Sequence, residues 1–275
     1  MIASENRRSS ADLPLDLNSV RQRLAARRLG TEFHYFTEIG STNTYARRLA
    51  EQGTREGELV IADSQTDGRG RLGRHWVSPP NVNLYLSFVL RPKLPPARAP
   101  QITLMAAVAL AETLQFFLPV PPSIKWPNDI IVNGKKLAGI LTEVSCGSES
   151  VEFVILGIGV NVNYPVDLMP EEIRQRATSI LVERQNKVSR EDLLQRLIQD
   201  LDRCYGEIEE NGFAPLALRW QAYFGWRGQR VRIELLNQVV FGIAKGIDHD
   251  GALLLEDDHG GLQRVIAGDV TPVSE

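Results

Sequence analysis

Nine residues, Gly68 to Trp76, read GRGRLGRHW and bring together three glycines, three arginines and a tryptophan. The first six fit G-x-G-x-x-G, the pattern of a dinucleotide-binding turn. Such a turn follows a strand and opens a helix whose N-terminus receives a pyrophosphate. A strand-like run, ELVIADSQ, does precede it, but HWVSPPNVN carries two consecutive prolines and no helical stripe. No acidic residue stands ~20 positions on, where the chain reads LRPKLPP, so the dinucleotide reading fails.

Two readings of the loop remain. Glycines let backbone approach a ligand closely, and guanidinium groups grip carboxylate or phosphate through paired hydrogen bonds. A solvated basic loop is the plainer alternative, and Trp76 argues against it as a closing wall or stacking face. Such glycines favour an open loop whose arginines find partners when anions arrive. Two further segments carry similar chemistry. KWPNDIIVNGKKLAGILTE sets Lys125 and Asp129 near a strand and Lys136 just before LAG, and GIGVNVN ends an apolar strand with Asn161 and Asn163. Together these suit an anionic ligand with an apolar body. Singly, each has a plain reading: Lys125 with Asp129 as a surface ion pair, Asn161 as a turn residue, Ser41 to Asn43 as a helix cap.

The rest of the chain must position these groups. Its 275 residues could form one large domain or two smaller ones. With 34 acids against 31 bases the net charge is −3, so no global field draws nucleic acid or anionic lipid, and clustered arginines act locally. Cys146 and Cys204 lack metal-ligand spacing and read as buried free thiols, and the four histidines form no i,i+4 pair. No signal peptide or spanning segment is evident, which suggests the cytoplasm.

Residues 1–14 read as frayed, and DLNSVRQRLAARRLG as a short helix stopped by Gly30. TEFHYFTEI alternates like a strand, STNTYARRLAEQG is a helix from capping residues to Gly53, and NLYLSFVLRP is a strand closed by Pro92. Residues 101–117 form an apolar helix. SIKWPNDIIVNGKKLAGILTEVS reads as strand, NG turn and strand, and SVEFVILGIGVNVN as a further strand. Residues 189–211 are the clearest helix, with a capping box at Ser189–Asp192 and Leu193, Leu194, Leu197, Ile198, Leu201, Tyr205 and Ile208 on one face. From about 227 the texture turns to short β-runs, QRVRIELL, VVFGIAKGID, ALLLEDD and LQRVIAGDV, separated by NQ, DG and HGG turns. This suggests a small barrel appended to an α+β domain.

The ordered set STN, SQTDGRGRLGRHW, KWPNDI, GKKLAGILTE and GIGVNVN resembles biotin protein ligase, over roughly residues 33–165. GIDHDGALLLEDD resembles that family's C-terminal SH3-like barrel. The resemblance implies an α+β fold, with a mixed-sheet catalytic domain of the biotin/lipoate ligase type. It divides the chain into an N-terminal extension (1–30), a biotin- and ATP-binding catalytic domain (31–226) and a small C-terminal barrel (227–275), the last assisting catalysis rather than binding biotin. It also implies the activity: biotin is adenylated with ATP and Mg2+, then passed to one lysine of a biotin carboxyl carrier domain. By similarity Ser41, Thr42, Asn43 and Gln65 line the biotin end, and Arg69, Gly70 and Arg71 close over biotin and phosphate. Lys136 is the main counter-charge, Gly139 and Leu141 offer backbone to the biotin rings, and Trp76 and Asn161 lie on the adenine side. Lys125 and Asp129 fall in the KWPND motif, Asp129 serving either magnesium or the incoming amine.

Only about thirty residues precede the first family-like strand, too few for a helix-turn-helix with its wing. The expectation is therefore a ligase that binds no nucleic acid and no membrane, with a homodimer left open. A lipoate-type protein ligase and a biotin-sensing regulator are the alternatives. Competition between the two acids separates the first, and gel shift at stated salt the second.

Overall fold

The computed structural model describes residues 13–25, 28–147, 150–235 and 238–273. Most of the segment read as frayed, Ala26 and Arg27 of the DLNSVRQRLAARRLG run, and half of the NQ turn lie outside them. Seven helices run α1 Leu17–Arg23, α2 Thr42–Glu51, α3 Pro100–Gln115, α4 Glu171–Arg174, α5 Ile180–Arg184, α6 Arg190–Asn211 and α7 Ala214–Tyr223. The strands are β1 Phe33–Phe36, β2 Leu59–Ala62, β3 Leu84–Leu90, β4 Ser123–Lys125, β5 Asp129–Val132, β6 Lys135–Cys146, β7 Val151–Val160, β8 Arg230–Glu234, β9 Val239–Ile247, β10 Leu253–Glu256, β11 Leu262–Val265 and β12 Asp269–Pro272.

The first seven strands form one sheet in the order β1-β2-β3-β7-β6-β5-β4, with β1 and β2 parallel and the other pairs antiparallel. Because side chains alternate across a strand, register divides the sheet into two faces. Leu84, Leu86, Phe88 and Leu90 of β3 join Val154, Leu156, Ile158 and Val160 of β7 in the main core. On this face lie α3 and α6. Helix α3 is apolar nearly all round and buried nearly all round, the expected fate of such a helix. On α6 the whole stripe from Leu193 to Ile208 is buried, and Ser189 caps the helix by accepting from Asp192 N, as its sequence foretold.

The opposite face carries Asp129, Lys136, Gly139, Leu141 and Glu143, then Gly159 and Gly157, then Tyr85 and Ser87. Helix α2 covers part of it over a small second core that includes Ala46, Ala50, Val60 and Val89. A β-bulge decides which residues this face presents. Asp129 is opposite Gly139 and Ile130 opposite Ala138, but Ile131 is opposite Lys136, so Leu137 is the extra residue. The bulge shifts the side-chain phase and turns Lys136 onto the same face as Gly139.

β8 to β12 form a separate antiparallel sheet in the order β11-β10-β9-β8-β12. Among the described residues its edge strands β11 and β12 are not paired with each other, so the small C-terminal β-domain expected from the sequence is present as a five-stranded antiparallel sheet without closure between those two edges. LQRVIAGDV, read as one run, splits into β11 and β12 because Gly268, at φ +153°, breaks it. Likewise the single strand expected before the NG turn is two, β4 and β5, divided at the cis Trp126–Pro127 bond. Of the two cysteines only Cys204 is buried, its thiol pushed up to about 12 mainly by that burial; Cys146, at the ragged end of β6, is exposed.

Candidate active site

On the site face the sheet, α2 and the glycine–arginine loop enclose a cleft whose polar end is set by Ser41, Thr42, Asn43 and Gln65. Ser41 occupies the N-cap position of α2, but its side chain makes no cap hydrogen bond. Gln65 replaces it: its Oε1 accepts from Thr42 N at 2.9 Å and Thr42 Oγ1 at 3.0 Å, while its Nε2 donates to Ser78. Ser87 Oγ lies 2.6 Å from Asn43 Oδ1 and 2.8 Å from Thr42 Oγ1. A Cβ at Gly157 would fall 2.1 Å from Asn43 Oδ1, so glycine there makes room for the amide.

The loop folds back on itself as a small hairpin. Trp76 N donates to Gly68 O, Gly70 N donates to Arg74 O, and a short 3-10 turn spans Arg71–Gly73. All three of its arginines have protein partners. Arg69 pairs with Glu143 at 3.1 Å, and Arg71 donates to Asn128 Oδ1 at 2.7 Å and to Gly268 O at 3.2 Å. Arg74 donates to Asp269. The guanidinium groups of this short hairpin, exposed for Arg69 and Arg74 and half-buried for Arg71, meet acceptors from β6, β12 and the β4–β5 turn, and a reading of local sequence holds none of those. Burial pushes the Arg71 guanidinium down from its ordinary value, opposed by the nearby carboxylates of Asp129 and Asp269.

Lys136 stands at the centre of the cleft. Its backbone is fixed from outside the sheet, since Lys136 N donates to Arg176 O and Thr178 N donates to Lys136 O. Its Nζ is 2.7 Å from Asp129 Oδ1, a pure ion pair without hydrogen-bond alignment, and 5.3 Å from the Trp76 ring. The Trp76 indole lies against two glycines, for a Cβ at Gly159 would stand 2.6 Å from it and one at Gly139 would stand 3.1 Å away.

Ser41, Thr42, Asn43, Gln65, Arg69, Gly70, Arg71, Trp76, Lys136, Gly139 and Leu141 thus come together in the cleft. Asp129 stands behind Lys136. Lys125 and Asn161 do not line it. Lys125 and Asp129 are directly opposite across the β4–β5 hairpin, yet they do not form the expected surface pair: Lys125 pairs with Asp269 at 3.2 Å and Asp129 with Lys136. Asn161 is buried, donating to Thr178 O and accepting from Asn83, and so holds the segment behind Lys136. Sequence reasoning missed Asn128, Ser87, Glu143, Gly157 and Gly159. Of these only Ser87 lies outside the motifs that carry the resemblance: Asn128 falls in KWPND, Glu143 in GKKLAGILTE, and Gly157 and Gly159 in GIGVNVN, each without an assigned role.

Comparison with known proteins places this arrangement. Residues 35–161 match the Biotin/lipoate A/B protein ligase family, and residues 228–271 match the Biotin protein ligase C terminal domain. The chain is 37% identical to the Bifunctional ligase/repressor BirA of Bacillus subtilis, over 93% of this chain and 78% of that protein. It is 36% identical to the Biotin--[acetyl-CoA-carboxylase] ligase of Mycobacterium tuberculosis, over 94% of this chain and 95% of that one. The structure of biotin protein ligase from Aquifex aeolicus in complex with biotin and ATP superposes with a TM-score of 0.76 at 28% identity, covering 89% of this chain and 100% of that one.

The chain belongs to the biotin protein ligases. Neither the lipoate-ligase reading nor the sensor reading is favoured by these relatives. Among the described residues no helix is long and apolar enough to cross a membrane.

Proposed function

We propose that this chain condenses the carboxylate of biotin with ATP to give biotinyl-AMP and pyrophosphate, and then transfers the biotinyl group to a lysine amine of a biotin carboxyl carrier domain, in the cytoplasm. The observation that carries this reading is the placement of Lys136. It lines the same cleft as the neutral, hydrogen-bonding residues Ser41, Thr42, Asn43 and Gln65 and the arginine loop, so that its ammonium can serve both the carboxylate and the phosphate that must meet there.

Attack of a carboxylate on an α-phosphate brings like charges together, so positioning and charge neutralisation do most of the work. Lys136 supplies the counter-charge, and Asp129, opposite it, fixes the direction of the ammonium. Arg71, held between Asn128 and Gly268 O, covers the phosphate side, with Arg69 and Gly70 completing the cover. Trp76 offers its ring as the wall against which adenine rests. Thr42, Asn43 and Gln65 present donors and acceptors to the ureido group, and Gly139 and Leu141 let its rings approach the strand.

The lining of the cleft contains no carboxylate among the described residues, and Asp129 Oδ1 is already opposed by Lys136. Those residues do not make a protein-held magnesium site, and magnesium enters as part of the MgATP substrate, held by its phosphates. Asp129 is therefore assigned to Lys136 and, in the second step, to the incoming amine. A free lysine has a pKa of ~10.4 and must shed a proton before attack. A carboxylate beside it holds the ammonium in place until that happens. Lys125 and Asn161 act at one remove, on Asp269 and on the segment behind Lys136.

Biotin-dependent exchange of labelled pyrophosphate into ATP, run against lipoate in competition, tests the first half-reaction. Exchange supported by biotin and untouched by lipoate is the expected result; exchange supported by lipoate in biotin's place rejects the reading.

A further inference from the structure

Glu143 has no part in the chemistry above, yet it is the point where the pocket and its cover meet. It follows Leu141 by two residues on β6 and so shares the site face with Gly139 and Leu141. At about 3.3 Å per residue it stands about 13 Å along the strand from Gly139, well away from Lys136. Its side chain is 15% exposed and receives three groups. Asn43 Nδ2 donates to Oε2 at 2.8 Å, Arg69 Nη1 lies 3.1 Å from Oε1, and Arg47 reaches Oε1 at 3.8 Å. Asn43 belongs to the pocket wall and Arg69 to the loop above it.

Acceptor-only character gives this carboxylate a directing role. An ionised carboxylate cannot donate, so it must receive the amide nitrogen of Asn43 and cannot face its oxygen. Leu141 O, 3.4 Å from the same nitrogen, reinforces that choice. The oxygen of Asn43 is thereby turned toward Ser87 and the space that Gly157 leaves open. Asn43 then offers the pocket an acceptor, Ser87 is obliged to donate to it, and Thr42 with Gln65 closes the chain at the other side. Without Glu143 only the long contact to Leu141 O opposes turning the amide over, which would present a donor where a ureido N–H needs an acceptor. A site built to hydrogen-bond a polar ligand discriminates strongly only while its own groups keep that polarity.

We propose that Glu143 is a positioning residue that fixes the polarity of the biotin pocket through Asn43 and, by pairing with Arg69, ties the cover to that pocket. The proposal rests on the assignment of Asn43 to the ureido end of biotin.

The test uses full-length Glu143→Ala and Glu143→Gln, with biotin affinity by calorimetry and pyrophosphate exchange for KM and kcat. Glutamine keeps an oxygen that can accept from Asn43 but loses the charge that faces Arg69. Alanine is expected to weaken biotin binding and raise the biotin KM roughly ten- to a hundredfold, the scale of a hydrogen-bonded group lost from a recognition network, with kcat within about threefold of wild type. Glutamine is expected to restore biotin affinity to within about fivefold, while its loop becomes more sensitive to protease than that of wild type. Unchanged biotin affinity in Glu143→Ala, or a loss confined to kcat, overturns the proposal, as does a glutamine variant no better than alanine. Should alanine fail to fold, the glutamine variant decides alone: its proposed result is near-native affinity with a loosened loop, and weak binding with a native loop contradicts it. Wild-type protein that binds no biotin would instead remove the functional reading itself.

Discussion

Lys136 Nζ and Asp129 Oδ1 lie 2.7 Å apart across β5 and β6, on a face that Lys136 reaches only because Leu137 is bulged out of register. Both residues are visible in the sequence, but their partnership is not. A regular ladder would turn Lys136 toward the α3 side of the sheet.

Replacing Lys136 with alanine should therefore reduce biotin-dependent pyrophosphate exchange by ~10²–10³, the usual loss for one preorganised donor at a developing charge. Asp129→Asn should cost less in that step, since the ammonium remains while its direction loosens, and should cost relatively more in transfer to the carrier. Pyrophosphate exchange and single-turnover transfer of preformed adenylate separate the two. Exchange at the wild-type rate in Lys136→Ala would remove the residue from its role.

Arg71→Gly should separate making the adenylate from keeping it. The guanidinium bonds Asn128 Oδ1 and Gly268 O from the loop side, so its removal frees the cover from the β4–β5 turn and leaves Arg74 with Asp269 as its link to the C-terminal sheet. A charge-assisted hydrogen bond to an anion contributes ~1.5–3 kcal/mol, so the adenylate should escape roughly ten- to a hundredfold faster. Released mixed anhydride acylates exposed amines, so albumin added to the reaction should become biotin-labelled. Labelling restricted to the carrier at an unchanged rate would show that Arg71 does not hold the intermediate.

Asp269 links the C-terminal sheet to this cover by receiving Arg74 and Lys125 together. Burial alone would raise its carboxyl, but the Arg74 hydrogen bond and the nearby Lys125 hold it below the usual carboxylate range. A carboxyl depressed in the folded state contributes stability that is complete above its unfolded pKa of ~3.9 and lost as pH falls through the lower folded value. Asp269→Asn should remove that contribution at neutral pH, by about 1 kcal/mol once the exposure of Arg74 is discounted. It should also flatten the acid limb of the stability curve and expose the loop to protease. Identical melting curves for variant and wild type between pH 7 and pH 3 would dismiss the linkage.

Gly159→Ala would place a Cβ 2.6 Å from the Trp76 indole, and the ring must give way. If the indole is the adenine wall, the KM for ATP should rise roughly tenfold, within the range of one base–aromatic stack, while biotin affinity measured without ATP stays within a few-fold of wild type. An equal loss for both ligands would place the ring elsewhere.

Much of this site is legible from local spacing, because loop chemistry and helix stripes are written in adjacent residues. The α6 stripe, its Ser189 cap and the run of strands after residue 227 needed nothing more. What escaped depends on partners brought from afar. Glu143 and Asp269 are ordinary strand acids until the sheet sets them beneath Arg69 and Arg74, and the placing of Lys125 with Asp269 requires the C-terminal sheet to be docked. Gly157 and Gly159 open the GIGVNVN motif, but their purpose appears only once Asn43 and Trp76 are seen to fill the space they leave.

The central claim is met most directly by incubating the full chain with biotin, MgATP and a biotin carboxyl carrier domain, and following the carrier by intact mass and peptide mapping. The account predicts a single added biotinyl group on one lysine, dependent on both ATP and biotin and abolished in Lys136→Ala. A carrier whose mass is unchanged, beside a control ligase that modifies the same preparation, would contradict it.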